Sequence, residues 1–333
     1  RFCTAPCMDW TDRHCRKFWR LLSKHARLYT EMITTGALIH GDIKHHLWFN
    51  EEEHPLALQL GGANPTELAH CAKLGQDWGY NEINLNCGCP SSRVQNGRFG
   101  ASLMAEPSLV RDCVAAMRAA CDLPITVKHR IGIDHRESYG QLLDFVGNVA
   151  EGGCEVFIVH ARKALLQSLS PKQNREIPPL NYEYVYKLKS DFPNFVIVLN
   201  GGIETLDACH NQLRKVDGVM LGRAPYQNPW LLSEIDVSLF EETEAPNPNR
   251  ESVLKTMLLY IEQQLSEGAR LHHITRHMLG LYQGQYGGRQ YRRHLSENAH
   301  KQGASIMTLI EAASLCSRPP VLEAPTLKVA LNS

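Results

Sequence analysis

The sequence predicts an α/β fold, a closed (β/α)8 TIM barrel followed by a small all-α helical bundle, and three observations carry that expectation. Short apolar, β-rich runs alternate eight times with longer amphipathic ones through roughly the first 230 residues, the spacing of crossover connections in a parallel sheet. No Gly-x-Gly-x-x-Gly follows the first run, as an open dinucleotide-binding sheet would require. Polar residues recur at the C-terminal end of run after run, the face on which barrels build their sites.

In chain order the expected strands are Phe2–Ala5, Leu28–Met32, Leu56–Leu60, Glu82–Asn86, Ile125–Lys128, Val156–His160, Phe195–Asn200 and Gly218–Leu221. Most precede a helical pattern, such as Pro65–Trp78, Pro107–Ala120, Gln141–Glu151 and Thr205–Leu213. Their C-terminal ends bring Pro6 and Met8, Glu31, Gln59, Asn86 with Cys89, Lys128, His160, Asn200 and Arg223 toward one rim. Any one of these is open to an ordinary reading, Gln59 as a cap or His160 as a satisfied rim histidine; it is their coincidence on one barrel face that carries weight. Around Glu241–Asn249 the pattern breaks into acidic and Pro/Asn-rich sequence, the composition of an exposed linker. Residues 1–243 are therefore read as the catalytic barrel and residues 244–318 as a helical domain. Within the latter, Leu254, Leu258, Ile261 and Leu265 recur at helical spacing, and helices are expected over Leu271–Gln283, Gln290–Lys301 and Met307–Leu315. Residues 319–333 lack periodicity and read as a loose tail.

Composition narrows the classes. The chain has 333 residues, 43% of them hydrophobic, enough for a large core. Lys+Arg and Asp+Glu both number 35, so any basic surface must come from local asymmetry. Eleven cysteines, an odd number with no Cys-x-x-Cys, argue against both a disulfide scaffold and a metal site, and for reduced thiols in a cytoplasm. No apolar run approaches the roughly 18 residues of a membrane span, and the first residues lack a signal peptide's apolar region. Because Arg1 lies almost inside the first strand, a few native residues are expected ahead of it. No obligatory protein partner is evident.

Two stretches carry the chemistry. In Glu82-Ile83-Asn84-Leu85-Asn86-Cys87-Gly88-Cys89-Pro90-Ser91 a buried strand delivers Cys89 into a Pro-fixed loop, placing either a catalytic thiol or a small buried hydrophobe there. Asn200-Gly201-Gly202 and Gly222-Arg223 end the last two strands, where barrels frequently bind phosphate: glycines admit backbone N–H groups and Arg223 supplies a forked cation. The alternative is that these glycines only make tight turns. A mononucleotide flavin fits such a cradle without a dinucleotide fold, with Pro6, Met8, Gln59 and Lys128 as ring neighbours; donors near its pyrimidine end would tune it.

Five motifs together resemble the tRNA-dihydrouridine synthase family, bacterial A-type, over essentially the whole chain to about Arg318. They are Ala5-Pro6-Cys7-Met8-Asp9-Trp10-Thr11-Asp12-Arg13, Asn84–Ser91, Val127-Lys128-His129-Arg130-Ile131-Gly132, Val159-His160-Ala161-Arg162 and Ser170–Leu180. The resemblance implies FMN in the barrel, NADPH as reductant, and reduction of the C5–C6 double bond of D-loop uridines in tRNA, positions 20 and 20a. It makes Cys89 the proton donor to C5 after hydride reaches C6 from reduced FMN. It places Pro6, Cys7, Met8, Gln59, Lys128 and His160 around the flavin, gives its phosphate to Asn200, Gly201, Gly202, Gly222 and Arg223, and sets Asn86 on the uridine. The sequence departs from the family where Cys7 replaces a frequent Met, Cys87 an aliphatic residue and Ser102 a common second Cys.

Between Arg270 and Arg318 seven Lys/Arg face only Glu297 and Glu311, with five histidines and Tyr282, Tyr286 and Tyr291 interleaved. That is either an RNA footprint or a solvated helical face. The expected tRNA contacts are Arg98, Lys172, Arg175, Arg292 and Arg293. The rival functions are an FMN barrel acting on a small pyrimidine or enone, and a tRNA-binding protein without turnover.

Overall fold

The computed structural model describes residues 1–247 and 249–317; the expected tail at 319–333 and Arg318 lie outside the described residues. Eight strands form one all-parallel sheet: β1 (Phe2–Thr4), β2 (Leu28–Thr34), β3 (Leu56–Gly61), β4 (Glu82–Cys87), β5 (Ile125–Arg130), β6 (Val156–His160), β7 (Val196–Asn200) and β8 (Gly218–Leu221). Each pairs with its sequence neighbour, β8 returns to β1, and a Cys3–Arg27 bridge closes the ring between β1 and β2. This is the (β/α)8 TIM barrel that the alternation predicts. β2 to β5 each run one or two residues beyond the expected ends.

Helix starts follow local chemistry. Asn64 caps helix Pro65–Asp77 by accepting from the N–H groups of Thr66 and Glu67. Ser138 and Gln141 form a reciprocal capping box, which starts helix Tyr139–Glu151 two residues before the expected Gln141.

Because successive strand side chains alternate, Ile83, Leu85 and Cys87 of β4 face the helices, fully buried, while Glu82, Asn84 and Asn86 face the lumen. Two cores result. The large one lies between strands and helices; the small one, Cys3, Ala5, Tyr29, Ala57, Ile158, Val198 and Met220, fills part of the lumen.

The C-terminal region is helical: Arg250–Ser266, Leu271–Thr275, Gly288–Asn298 and Ile306–Ser314. Its buried residues, from Val253 to Ala312, belong to the same cluster as the barrel's outer core. The helix expected from Leu254, Leu258, Ile261 and Leu265 is present as Arg250–Ser266, and one other expectation is corrected. The first helix buries Val253, Met257, Tyr260 and Gln264 beside Leu254 and Ile261, leaving Leu258 and Leu265 at the stripe's edge. The expected helix over Leu271–Gln283 stops at Thr275 and continues as turns with three-residue spacing, for example Leu281 N–H to Met278 C=O at 2.9 Å. Within these turns the backbone packs closely: a Cβ on Gly280 would lie 2.3 Å from the Gln227 carbonyl oxygen.

Candidate active site

The C-terminal ends of the strands surround a cavity of about 1390 Å³. Small-molecule sites span roughly 300–1,000 Å³, so this volume admits a flavin-sized group together with a base.

On the β7–β8 side the backbone does the shaping. Gly201 and Gly202 have φ of 116° and 70°, and side chains there would also collide, a Cβ on Gly202 lying 2.5 Å from Leu180 Cδ1. Tyr182 Oη–H donates to the Gly201 carbonyl at 2.7 Å, holding the turn. Gly222 is the residue before the short helix Arg223–Gln227, and Arg223 Nη1 meets Glu176 Oε1 at 2.9 Å, both half-exposed. Paired glycine turns beside a forked cation fit a phosphate group.

On the opposite side of the ring, β4 delivers Cys89. Asn86 Oδ1 accepts from the backbone N–H groups of Gly88 at 3.0 Å and Cys89 at 2.9 Å, while Ala101 N–H reaches the Cys89 carbonyl at 2.9 Å. The half-buried thiol lies 3.6 Å from Ser91 Oγ and borders the cavity. Asn86 Nδ2 donates in turn to Gln59 Oε1 at 2.8 Å.

Between these sides stand the titratable groups. Lys128 Nζ donates to Asn200 Oδ1 at 3.0 Å, and Asn200 Nδ2 is held by the Met220 carbonyl at 2.8 Å. Burial, reinforced by the nearby Arg130 charge, brings the Lys128 ammonium down to about 8. Burial and the surrounding Arg130 and Lys128 charges hold His160 well below the ordinary histidine range, so it is a neutral imidazole. Burial pushes the Cys7 thiol up.

All the cofactor residues expected from sequence, Pro6, Cys7, Met8, Gln59, Lys128, His160, Asn200, Gly201, Gly202, Gly222 and Arg223, line this one cavity, as do Cys89, Asn86, Arg98 and Arg175. Arg98 adopts φ of 56°, a left-handed conformation unusual outside glycine. Lys172 is exposed in the loop after β6 and does not line the cavity. Arg292 and Arg293 do not line it either: they lie exposed on helix Gly288–Asn298, bonded to Gln283 and Glu297.

Sequence reasoning missed Arg130. Its buried guanidinium donates to the carbonyls of Gly88 at 2.9 Å and of Lys163 and Asn174 at 3.1 Å, joining three loops at the mouth. It also missed Trp10, which lines the cavity and stacks on Tyr226 at 4.2 Å. Tyr226 reaches His277 Nδ1 at 3.1 Å, and His277 and Arg276 both meet Asp12 Oδ2, at 3.0 and 2.7 Å. Burial alone would raise the Asp12 carboxyl, yet its contacts with His277, the Cys15 N–H and Arg276 hold it well below the usual carboxylate range. The cavity wall is thus tied directly to the helical region.

A family model described as dihydrouridine synthase matches residues 3–316. The chain belongs to the dihydrouridine synthase family. It is 59% identical over 313 residues to the tRNA-dihydrouridine(20/20a) synthase of Vibrio cholerae, covering 94% of this chain and 95% of that one. The proteins of the same name from Yersinia pestis and Salmonella typhimurium are 58% and 57% identical, covering 95% of this chain and 92% and 95% of theirs. Among solved structures, a 2-naphthoyl-CoA reductase complex resembles the fold with a TM-score of 0.55 at 11% identity, over 71% of this chain and 49% of that one. Dihydrouridine synthases are FMN-dependent enzymes that use NADPH, and the cavity's donors and glycine cradle suit that cofactor. Among the described residues no helix is long and apolar enough to cross a membrane, and no cluster of His, Cys, Asp and Glu could hold a metal ion.

Proposed function

We propose that this dihydrouridine synthase reduces the C5–C6 double bond of D-loop uridines in tRNA, at positions 20 and 20a as the names of its relatives suggest. The observation that carries this reading is the placement of Cys89 across the barrel mouth from the glycine cradle, in a cavity with room for both a flavin and an extruded base.

FMN, once reduced by NADPH, supplies the hydride that C6 requires. Asn200, Gly201, Gly202, Gly222 and Arg223 would hold its phosphate, and Pro6, Cys7, Met8, Gln59, Lys128 and His160 would surround its ring. Cys89 holds the proton delivered to C5 on the face opposite the hydride, so its thiol must be protonated before turnover. Asn86 contacts the uridine while anchoring the Cys89 backbone. The target base must leave its stack to enter, since a C5–C6 bond is inaccessible within a stacked loop.

Residues 1–243 carry the chemistry in this reading, and residues 244–318 hold the RNA, with Arg292 and Arg293 joined by Arg98, Lys172 and Arg175 as phosphate contacts. Exposed Arg289, Arg292 and Arg293 on one short helix support it. A cytoplasmic setting suits both a tRNA substrate and eleven free thiols.

The test is to map dihydrouridine in tRNA from cells lacking and then regaining the protein. Loss and return at 20 and 20a is the expected result; an unchanged map overturns the reading. Faster reoxidation of the reduced protein by free uracil than by tRNA would favour a small-pyrimidine reductase instead.

A further inference from the structure

The lumen beneath Cys89 holds a continuous column of hydrogen bonds. Glu82 lies at the N-terminal end of β4, the end of the barrel remote from the cavity, and is not part of the cavity wall. Thr126 Oγ1–H donates to Glu82 Oε1 at 2.7 Å, Asn84 Nδ2 to Thr126 Oγ1 at 2.8 Å, and Gln59 Nε2 to Asn84 Oδ1 at 2.8 Å. Asn86 Nδ2 then donates to Gln59 Oε1, and the N–H groups of Gly88 and Cys89 to Asn86 Oδ1. Glu82, Asn84, Thr126 and Gln59 are 3%, 0%, 1% and 1% exposed, so water does not replace a lost partner at the column's base.

Every bond in the column points the same way, and the chemistry of its base requires that direction. An ionised carboxylate only accepts, and Glu82 already receives Tyr29 Oη–H at 2.6 Å and the Arg27 guanidinium. Thr126 must therefore spend its single hydrogen on Glu82 and accept from above. That choice turns the Asn84 amide nitrogen down and its oxygen up, which fixes Gln59, which fixes Asn86. An inverted Asn86 would present N–H to the two loop N–H groups, a repulsive arrangement. Each amide nitrogen also keeps a second hydrogen, so Gln59 and Asn86 offer donors at the cavity floor.

We infer that Glu82, acting through Thr126 and Asn84, is a positioning residue for the reaction: it sets the amide orientations of Gln59 and Asn86 and thereby seats the Cys89 loop. The inference rests on the proposed reduction for its kinetic consequence but not for its structural one.

The test uses the full-length holoenzyme with Thr126→Val, which keeps the shape and removes the hydroxyl, and Thr126→Ser, which restores it. Misplacement of a reacting group by about 1 Å costs on the order of 10²-fold. Thr126→Val should lower kcat for tRNA-dependent reoxidation by roughly that factor with KM for tRNA nearly unchanged, and Thr126→Ser should recover most of it. Amide hydrogen exchange at Gly88 and Cys89 should quicken in the Val variant, return in the Ser variant, and stay constant at helix Pro107–Ala120. Equal kcat in all three proteins, or equal loss in Val and Ser, overturns the inference. Should Thr126→Val not fold, Glu82→Gln decides, because glutamine can donate and so permits the inverted column: unchanged exchange at Gly88 and Cys89 then overturns it. If the parent protein reduces no tRNA uridine, the proposed function fails while the exchange measurement still judges the column.

Discussion

The two halves of the barrel lumen are built on different principles. Under β3 to β5 it is mainly a column of amides, a hydroxyl and a carboxylate, with Ala57 beside it; under β6, β7, β8 and β1 it is Ile158, Val198, Met220, Cys3 and Ala5. The site above differs in the same way. At β7 and β8 the cavity is shaped largely by glycine backbone, steadied by Tyr182 at the Gly201 carbonyl and joined by the Asn200 amide, which the Met220 carbonyl holds. At β3 to β5 it is shaped by side-chain amides, which rotate and flip unless something fixes them.

Measurements at Cys89, Arg223 and Lys128 test that contrast. The largest effect is expected on the side-chain half: Cys89→Ala should slow tRNA-dependent flavin reoxidation by about 10²–10⁴-fold, the usual contribution of a general acid, with NADPH-dependent reduction nearly intact. Cys87, two residues earlier, faces the outer core and is fully buried, so Cys87→Ala should change stability rather than chemistry. A selective catalytic loss in Cys87→Ala instead would reverse the assignment. On the backbone half, Arg223→Ala should weaken FMN binding without altering the chemical step of the enzyme that remains loaded. Its guanidinium is half-exposed and shared with Glu176, so the low end of a charge-assisted contact applies, about 1.5 kcal/mol or tenfold in Kd by flavin fluorescence. An unchanged Kd would remove Arg223 from the phosphate site.

The smallest effect belongs to Lys128, which stands on β5 and reaches across to Asn200 on β7. FMN affinity of the flavin-free protein should decline as pH rises through about 8, where the ammonium is lost, and Lys128→Met should flatten that step. Stability should move the other way. Lys128 is lowered from an ordinary 10.5 to about 8, so between those values the unfolded chain binds the extra proton and folding becomes more favourable as pH rises. Denaturant unfolding of parent and variant across pH 7–10 checks the sign.

Much of this was legible in the sequence. All eight strands and most of the cavity residues at their ends follow from alternation, because a barrel strand must expose its C-terminal end to one shared rim, although Glu31, expected on that rim, accepts from the Asp9 N–H and does not line the cavity. What was not legible depends on which way an amide or a guanidinium points. Asn84 and Glu82 read as ordinary members of an apolar run, since period-two alternation says which residues face inward but not that four strands' polar residues meet there. Arg130 follows Lys128 by two residues and so shares its inward face, a signal that could have singled it out. Lys172, Arg292 and Arg293 were chosen by charge, which locates a surface but not its distance from the chemistry. The turns after Thr275 contain Gly280 packed against the Gln227 carbonyl, a contact more than fifty residues away in the chain that local periodicity does not show.

The Asp12 junction has a consequence for how a folded RNA is handled. One carboxylate caps helix Arg13–Arg20 through His14 and Cys15 and also grips Arg276 and His277, while the cluster of buried residues runs unbroken from barrel to helical region. That one carboxylate thus joins the first barrel helix to the helical region beside the cavity wall. In the proposed reaction a tRNA would meet a barrel and helical region already packed together, so the unstacking that brings a uridine to Cys89 would draw on the tRNA's own ease of bending.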